Sequence, residues 1–191
     1  MLIVITVLVI SLILLIVSIY KDKINFLSVK LANVEEKINS TLLKRKELLK
    51  DSEDVIKEIT KTKKEVYINF DELNDKEISM MELDRKLLVY MNEFYLIKDK
   101  YEELQKSDDF KKIAFMLAET EDLLSAYKDY YNDNASKYNK VIKCFPVCII
   151  SLLKGRKEKL FFDSKIVLIA IIMILNIKKR LPINLFFVMC F

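Results

Sequence analysis

The chain opens on a run without polar relief and then changes rhythm. Residues 1–20, MLIVITVLVISLILLIVSIY, carry no charged side chain and only three serine or threonine hydroxyls. As helix this stretch rises about 30 Å, enough to cross the hydrocarbon core of a bilayer. From Ile24 the apolar residues continue in helical phase through Leu27, Leu31, Val34 and Ile38, then restart at Leu42, Leu49, Ile56, Ile59 and Val66. The restart is a four-residue stutter, which relaxes a supercoil, so this first long helix is expected to bend or change neighbours near Ser40 and Thr41. The segment from Phe70 to Asp75 breaks the phase and offers Asn74 or Asp75 as a cap. A second helix follows, with Met80, Leu83, Leu87, Tyr90, Phe94, Ile97, Tyr101 and Leu104 alternating three and four apart, the seam of a helix packed in a bundle.

Ser107-Asp108-Asp109 supplies a cap and two acids at the positive end of a third helix. There Phe110, Leu117, Leu124, Tyr131, Tyr138 and Phe145 recur every seven residues until Pro146, which cannot continue a helix and disfavours helix at the residue before it. Val147 to Leu153 is apolar on nearly every side, and Gly155 is placed to close it in a left-handed conformation. This short run is expected to pack under the bundle or against a membrane. Arg156-Lys157-Glu158-Lys159 beside Phe161-Phe162 reads equally as a contact with anionic lipid or as a surface turn. The fold class is therefore all-α: an amino-terminal transmembrane helix, then an elongated antiparallel bundle of three long helices plus a short fourth.

Within the third helix the ordered set Thr120-Glu121, Lys128, Tyr131-Asn132, Tyr138-Asn139 and Phe145-Pro146 resembles the closing motif of the LemA family of bacterial membrane proteins. In that motif a Thr-Glu pair precedes an Arg, two Tyr-Asn pairs and a Phe-Pro, and Lys128 is the conservative departure. The resemblance extends to Tyr101-Glu102-Glu103-Leu104 and Phe110, and to the basic run from Leu42 to Leu48. It implies an all-helical domain behind an amino-terminal membrane anchor, with no reaction attached. The family pattern places a proline shortly after the basic run, where Lys50-Asp51-Ser52 has none, so the family's helix break is in question there. Since the resemblance marks both the basic run and the acid, an ion pair of Glu121 with Arg45 or Lys46 is expected. The alternative is that Glu121 and Lys128 reach solvent from the seam's edge. Lys44, Arg45, Lys46 and Lys50 otherwise read as a solvated face.

Composition narrows the function classes. Histidine is absent, which removes the usual general base near neutral pH and the commonest metal ligand. Cys144 and Cys148 lack a second pair at zinc spacing and read as small hydrophobes. No catalytic, cofactor or metal residue is assigned, and the chain is not expected to be an enzyme. The net charge of +4 comes entirely from Lys165, Lys178, Lys179 and Arg180, because the 28 acidic residues and the other 28 basic ones all lie between residues 21 and 163. A neutral domain argues against nucleic acid as a partner.

Lys21, Lys23 and Lys30 follow the apolar run and no Lys or Arg precedes it, so the positive-inside rule puts the amino terminus outside and the domain in the cytoplasm. The expected organisation is an anchor at 1–20, a helical domain at 21–163 and an atypical apolar and basic tail at 164–191. The tail's apolar run from Ile166 to Ile177 is too short for a second span, leaving an interfacial segment, a re-entrant one or a reading-frame accident. The expected function is that of a single-pass protein of the cytoplasmic membrane, non-catalytic, acting through an unidentified protein partner or self-association as well as membrane lipid. The alternative is a bitopic coiled-coil assembly factor of the cell envelope, of division or lysis type, with its domain outside.

Overall fold

The computed structural model describes residues 1–61, 66–67, 70, 73 and 78–163. Asn74, Asp75 and the 164–191 tail lie outside the described residues. The chain is all-helical: α1 (Leu2–Thr60), α2 (Met80–Lys100), a 3-10 turn (Leu104–Lys106), α3 (Asp108–Lys143) and α4 (Val147–Leu153). The apolar run and the first bundle helix are one continuous α1 of 59 residues. The protein's single glycine and two prolines all fall beyond α1, so nothing in its backbone chemistry compels a break. At the stutter, the Ser40 and Thr41 hydroxyls both bond back to the Lys37 carbonyl, which lets polar side chains sit inside the helix without competing for its amides. Lys61, at φ 51°, ends it.

Helix starts follow local capping. Ser79 precedes α2 and its Oγ accepts the amide of Glu82, in a Ser-x-x-Glu sequence typical of helix entry. Ser107 opens α3, accepting the Phe110 amide. Gly155, at φ +61°, closes α4, with Arg156 N–H donating to Ser151 O and Gly155 N–H to Leu152 O, a pairing that satisfies the terminal carbonyls.

The described residues fall into two compact units, Met1–Thr41 with Leu123–Phe162, and Leu42–Asp122 with Asp163. The first boundary lies at the stutter, where the change of neighbours was expected. In the first unit α1 and α3 run antiparallel, as Lys37 over Tyr127 and Tyr20 beside Cys144 require. Its core includes Ile24, Leu27, Leu31, Val34 and Ile38 with Leu124, Tyr131, Ala135 and Tyr138. In the second unit α1 meets α3 where Arg45 reaches Thr120 and Lys44 lies beside Glu119, and Phe94 of α2 stacks on Phe110 of α3 at 5.1 Å between ring centroids. Tyr67, Phe70 and Tyr90 form a further ring cluster there, and the Tyr67 hydroxyl meets the fully buried Ser52 at 2.7 Å.

Phe145 departs from the seven-residue seam. It is 73% exposed, because α3 stops at Lys143 and the chain turns through Cys144-Phe145-Pro146 before the next beat of the repeat can reach the core.

A fragment of residues 24–163 should give a helix-dominated circular dichroism spectrum and a cooperative melt, since the helices share buried seams of adequate size. Tyr138→Ala should lower its stability by about 3 kcal/mol, read by denaturant titration, as expected for a large buried ring truncated to a methyl.

Candidate interaction site: the motif side chains and the strap they hold

After α4 the chain returns along α3 as a non-helical strap, residues 156–162, and the two motif asparagines hold it. Asn139 Nδ2 donates to Lys159 O at 2.8 Å, and its Oδ1 accepts Lys159 N–H at 2.8 Å. Asn132 does the same with Phe162, at 3.0 and 2.9 Å. A carboxamide carries both a donor and an acceptor and so can replace a strand backbone edge. The spacing is set by two helical parameters: seven residues of α-helix advance about 10.5 Å, and three residues of near-extended chain cover about 10 Å. Asparagines one heptad apart thus meet peptide groups three residues apart, with strap and helix antiparallel.

The tyrosines that precede these asparagines face the interior. Tyr131 is 2% exposed and packs edge-on against Phe162 at 5.1 Å. The Glu35 carboxylate of α1 accepts a hydrogen bond from Lys159 Nζ of the strap at 2.9 Å and lies close enough to the Tyr131 phenol of α3 to raise its pKa. Burial, followed by the charge of Glu35, pushes the Tyr131 phenol up to about 12. An exposed pair of Lys143 and Glu158, 2.8 Å apart, adds little to these contacts.

In the second unit the motif's Thr-Glu pair meets the basic run of α1. Arg45 is not on a solvated face: it is 2% exposed. The physical reason is phase. After the stutter the buried positions include Leu42, Arg45, Leu49, Ser52 and Ile56, alternating three and four apart, so Arg45 occupies a seam position. Its Nε donates to Thr120 Oγ1 at 3.1 Å, and that hydroxyl donates to Leu117 O at 2.7 Å. Desolvation lowers the Arg45 pKa, opposed first by the charge of Asp84 and then by that of Glu121. Asp84, from α2, is 1% exposed. The residues α1, α2 and α3 bring together here are therefore Arg45, Asp84 and Thr120, with the half-buried Glu121 close enough to act on the guanidinium.

Lys46 donates to the Leu73 carbonyl at 2.8 Å, Lys44 lies on the surface 3.6 Å from Glu119, and Lys128 is buried on α3 at 9% exposure. Pro146 precedes α4 and, like Cys144 and Cys148, is half-buried. Among the described residues no group of three or more His, Cys, Asp or Glu side chains is arranged to hold a metal ion. Sequence reasoning missed Asp84 and the strap. Asp84 was detectable as a charge adjoining Leu83 on the apolar face of α2, whereas an irregular strap carries no periodicity to detect.

These features define an all-helical protein whose amino-terminal helix is long and apolar enough to cross a membrane, with a bundle pinned by its own motif side chains. The chain belongs to the LemA family, whose family model matches residues 24–166. No curated protein and no solved structure matches it.

Asn132→Ala and Asn139→Ala should each cost about 1–3 kcal/mol, the penalty for stranding partly buried peptide groups. Hydrogen exchange should quicken at the Phe162 amide in the first variant and at Lys159 in the second. If the Asn139 change leaves Lys159 protection intact, the clamp is not what holds the strap.

The raised Tyr131 pKa means stability present below pH about 10, where a free tyrosine ionises, and lost as pH rises towards 12. The fall of Tm over that alkaline window should be smaller in Tyr131→Phe than in the parent.

Arg45→Met should cost about 3–5 kcal/mol by removing a buried cation on which the charge of Asp84 acts. Adding Asp84→Leu should recover much of that loss, whereas adding Glu121→Gln should not. Equal recovery by both would make Glu121 as important a counter-charge as Asp84.

Proposed function

We propose that this chain is a single-pass protein of the cytoplasmic membrane, with its amino terminus outside and its helical domain in the cytoplasm, and that it works by holding a partner, not by catalysis. The observation that carries this proposal is where the motif's polar groups are spent. Asn132 and Asn139 are occupied by the strap's peptide groups, and the Thr120 hydroxyl is shared between Arg45 and Leu117 O. A catalytic site needs polar groups aimed at a cavity where a substrate can sit, whereas these are aimed at the protein itself. The exposed apolar side chains of residues 1–15 support the anchor, and the lysines after it support the orientation.

With the native cysteines replaced, Lys112→Cys on the exposed surface of α3 should resist a membrane-impermeant maleimide in intact cells and react once the membrane is opened. Ready labelling of intact cells would reverse the topology and favour an envelope assembly factor. Crosslinking in intact cells, followed by identification of the attached proteins, should return specific partners or the chain itself.

A further inference from the structure

The fourth helix is inside out. Its buried positions are Val147 and Ser151, four residues apart, while Ile149, Leu152, Leu153 and the preceding Phe145 stand in the open, at 54%, 81%, 82% and 73% exposure. A helix that faces water turns its larger apolar side chains the other way.

Its place in the first unit says what covers them. Cys144, three residues before α4, has its sulfur 4.0 Å from the Tyr20 hydroxyl, and Tyr20 ends the uncharged run of α1. Of the first twenty side chains, Ile16, Val17 and Tyr20 are the only ones not classed as exposed. The folded part of this unit therefore reaches the apolar run at its Tyr20 end, the depth at which headgroups lie if that run crosses a bilayer. Lys154, Arg156 and Lys157 follow α4 directly, placing positive charge beside the apolar face, as in interfacial helices that sit on anionic lipid.

We propose that residues 145–153 form a second membrane contact, lying in the interface of the leaflet that α1 enters at Tyr20, with Phe145, Ile149, Leu152 and Leu153 among the acyl chains and Lys154, Arg156 and Lys157 on anionic headgroups. The inference rests on the anchor proposed above. It gives the first unit two attachments to one surface, the span and α4, which fixes how that unit is presented to the bilayer.

The test is nitroxide depth measurement on the full chain, with Cys144, Cys148 and Cys190 replaced by serine, in vesicles of phosphatidylcholine with and without phosphatidylglycerol. Labels go at Leu152→Cys, at Leu8→Cys in the span, and at Ala126→Cys, which is exposed on α3 about 25 Å from that helix's end. With anionic lipid, Leu8 and Leu152 should both favour collisions with oxygen over a water-soluble nickel chelate, and Ala126 should favour the chelate. Arg156→Glu with Lys157→Glu should lower the oxygen-to-nickel ratio at Leu152 several-fold and leave Leu8 unchanged. A water-like Leu152 beside a lipid-buried Leu8 overturns the second contact alone. A water-like Leu8 overturns the anchor and the contact together. Spin–spin broadening at Leu152 that vanishes on dilution with unlabelled protein would show that a second copy covers the face, and would also overturn the proposal.

Discussion

A helix that leaves an apolar run and continues without a break into a folded unit must change what its side chains face, and every other element answers to that change. Along α1 the first fifteen side chains are exposed all round, and from Ile24 the buried ones narrow to positions three and four apart. An exposed apolar cylinder is stable only in lipid, whereas a single apolar stripe is stable in water once another helix covers it. In the first unit α3 supplies that cover in antiparallel alignment, and the division into units at Thr41 coincides with the point where the seam's phase slips. A four-residue insertion rotates the buried stripe relative to the strict repeat, so a straight neighbour cannot follow it on both sides with the same contacts.

Repetitive apolar seams specify contact poorly, because sliding one helix by a heptad replaces each apolar side chain with a similar one. Polar groups with a single suitable partner do not tolerate such a slip. A heptad displacement of α3 would move Thr120 about 10.5 Å from Arg45, taking away the hydroxyl that accepts the buried guanidinium's Nε–H. The contribution of such a cluster is to register more than to net stability, since desolvation offsets much of the attraction between buried charges.

The asparagine clamp works on the same unit of length. The helix repeats its surface every seven residues, extended chain advances that distance in three, and a carboxamide presents donor and acceptor together. Tyr131 and Tyr138 then fill the core on the inner side of the same turns that hold the strap on the outer side. A Tyr-Asn dipeptide repeated at seven residues thus performs two tasks at once, the ring packing inward while the neighbouring amide, rotated about 100° around the axis, secures the returning chain.

The helical class, the membrane-length amino-terminal run, the seams of α2 and α3, and the family itself were legible in the chain, because each depends on periodicity or on ordered residues at fixed spacing that survive without knowledge of neighbours. The burial of Arg45 was half legible: its spacing from Leu42 and Leu49 marks a seam position, but its chemistry argues for solvent, and only the arrival of Asp84 and Thr120 from two other helices resolves the conflict. The exposure of Phe145 was not legible, since the seven-residue beat continues through it while the helix does not. What the sequence by itself determined was which faces must be covered, because apolar periodicity is a local property of the chain. What only the tertiary structure decided was which polar group meets which, because hydrogen bonds are directional and short, and their partners lie 20 to 124 residues away in the chain.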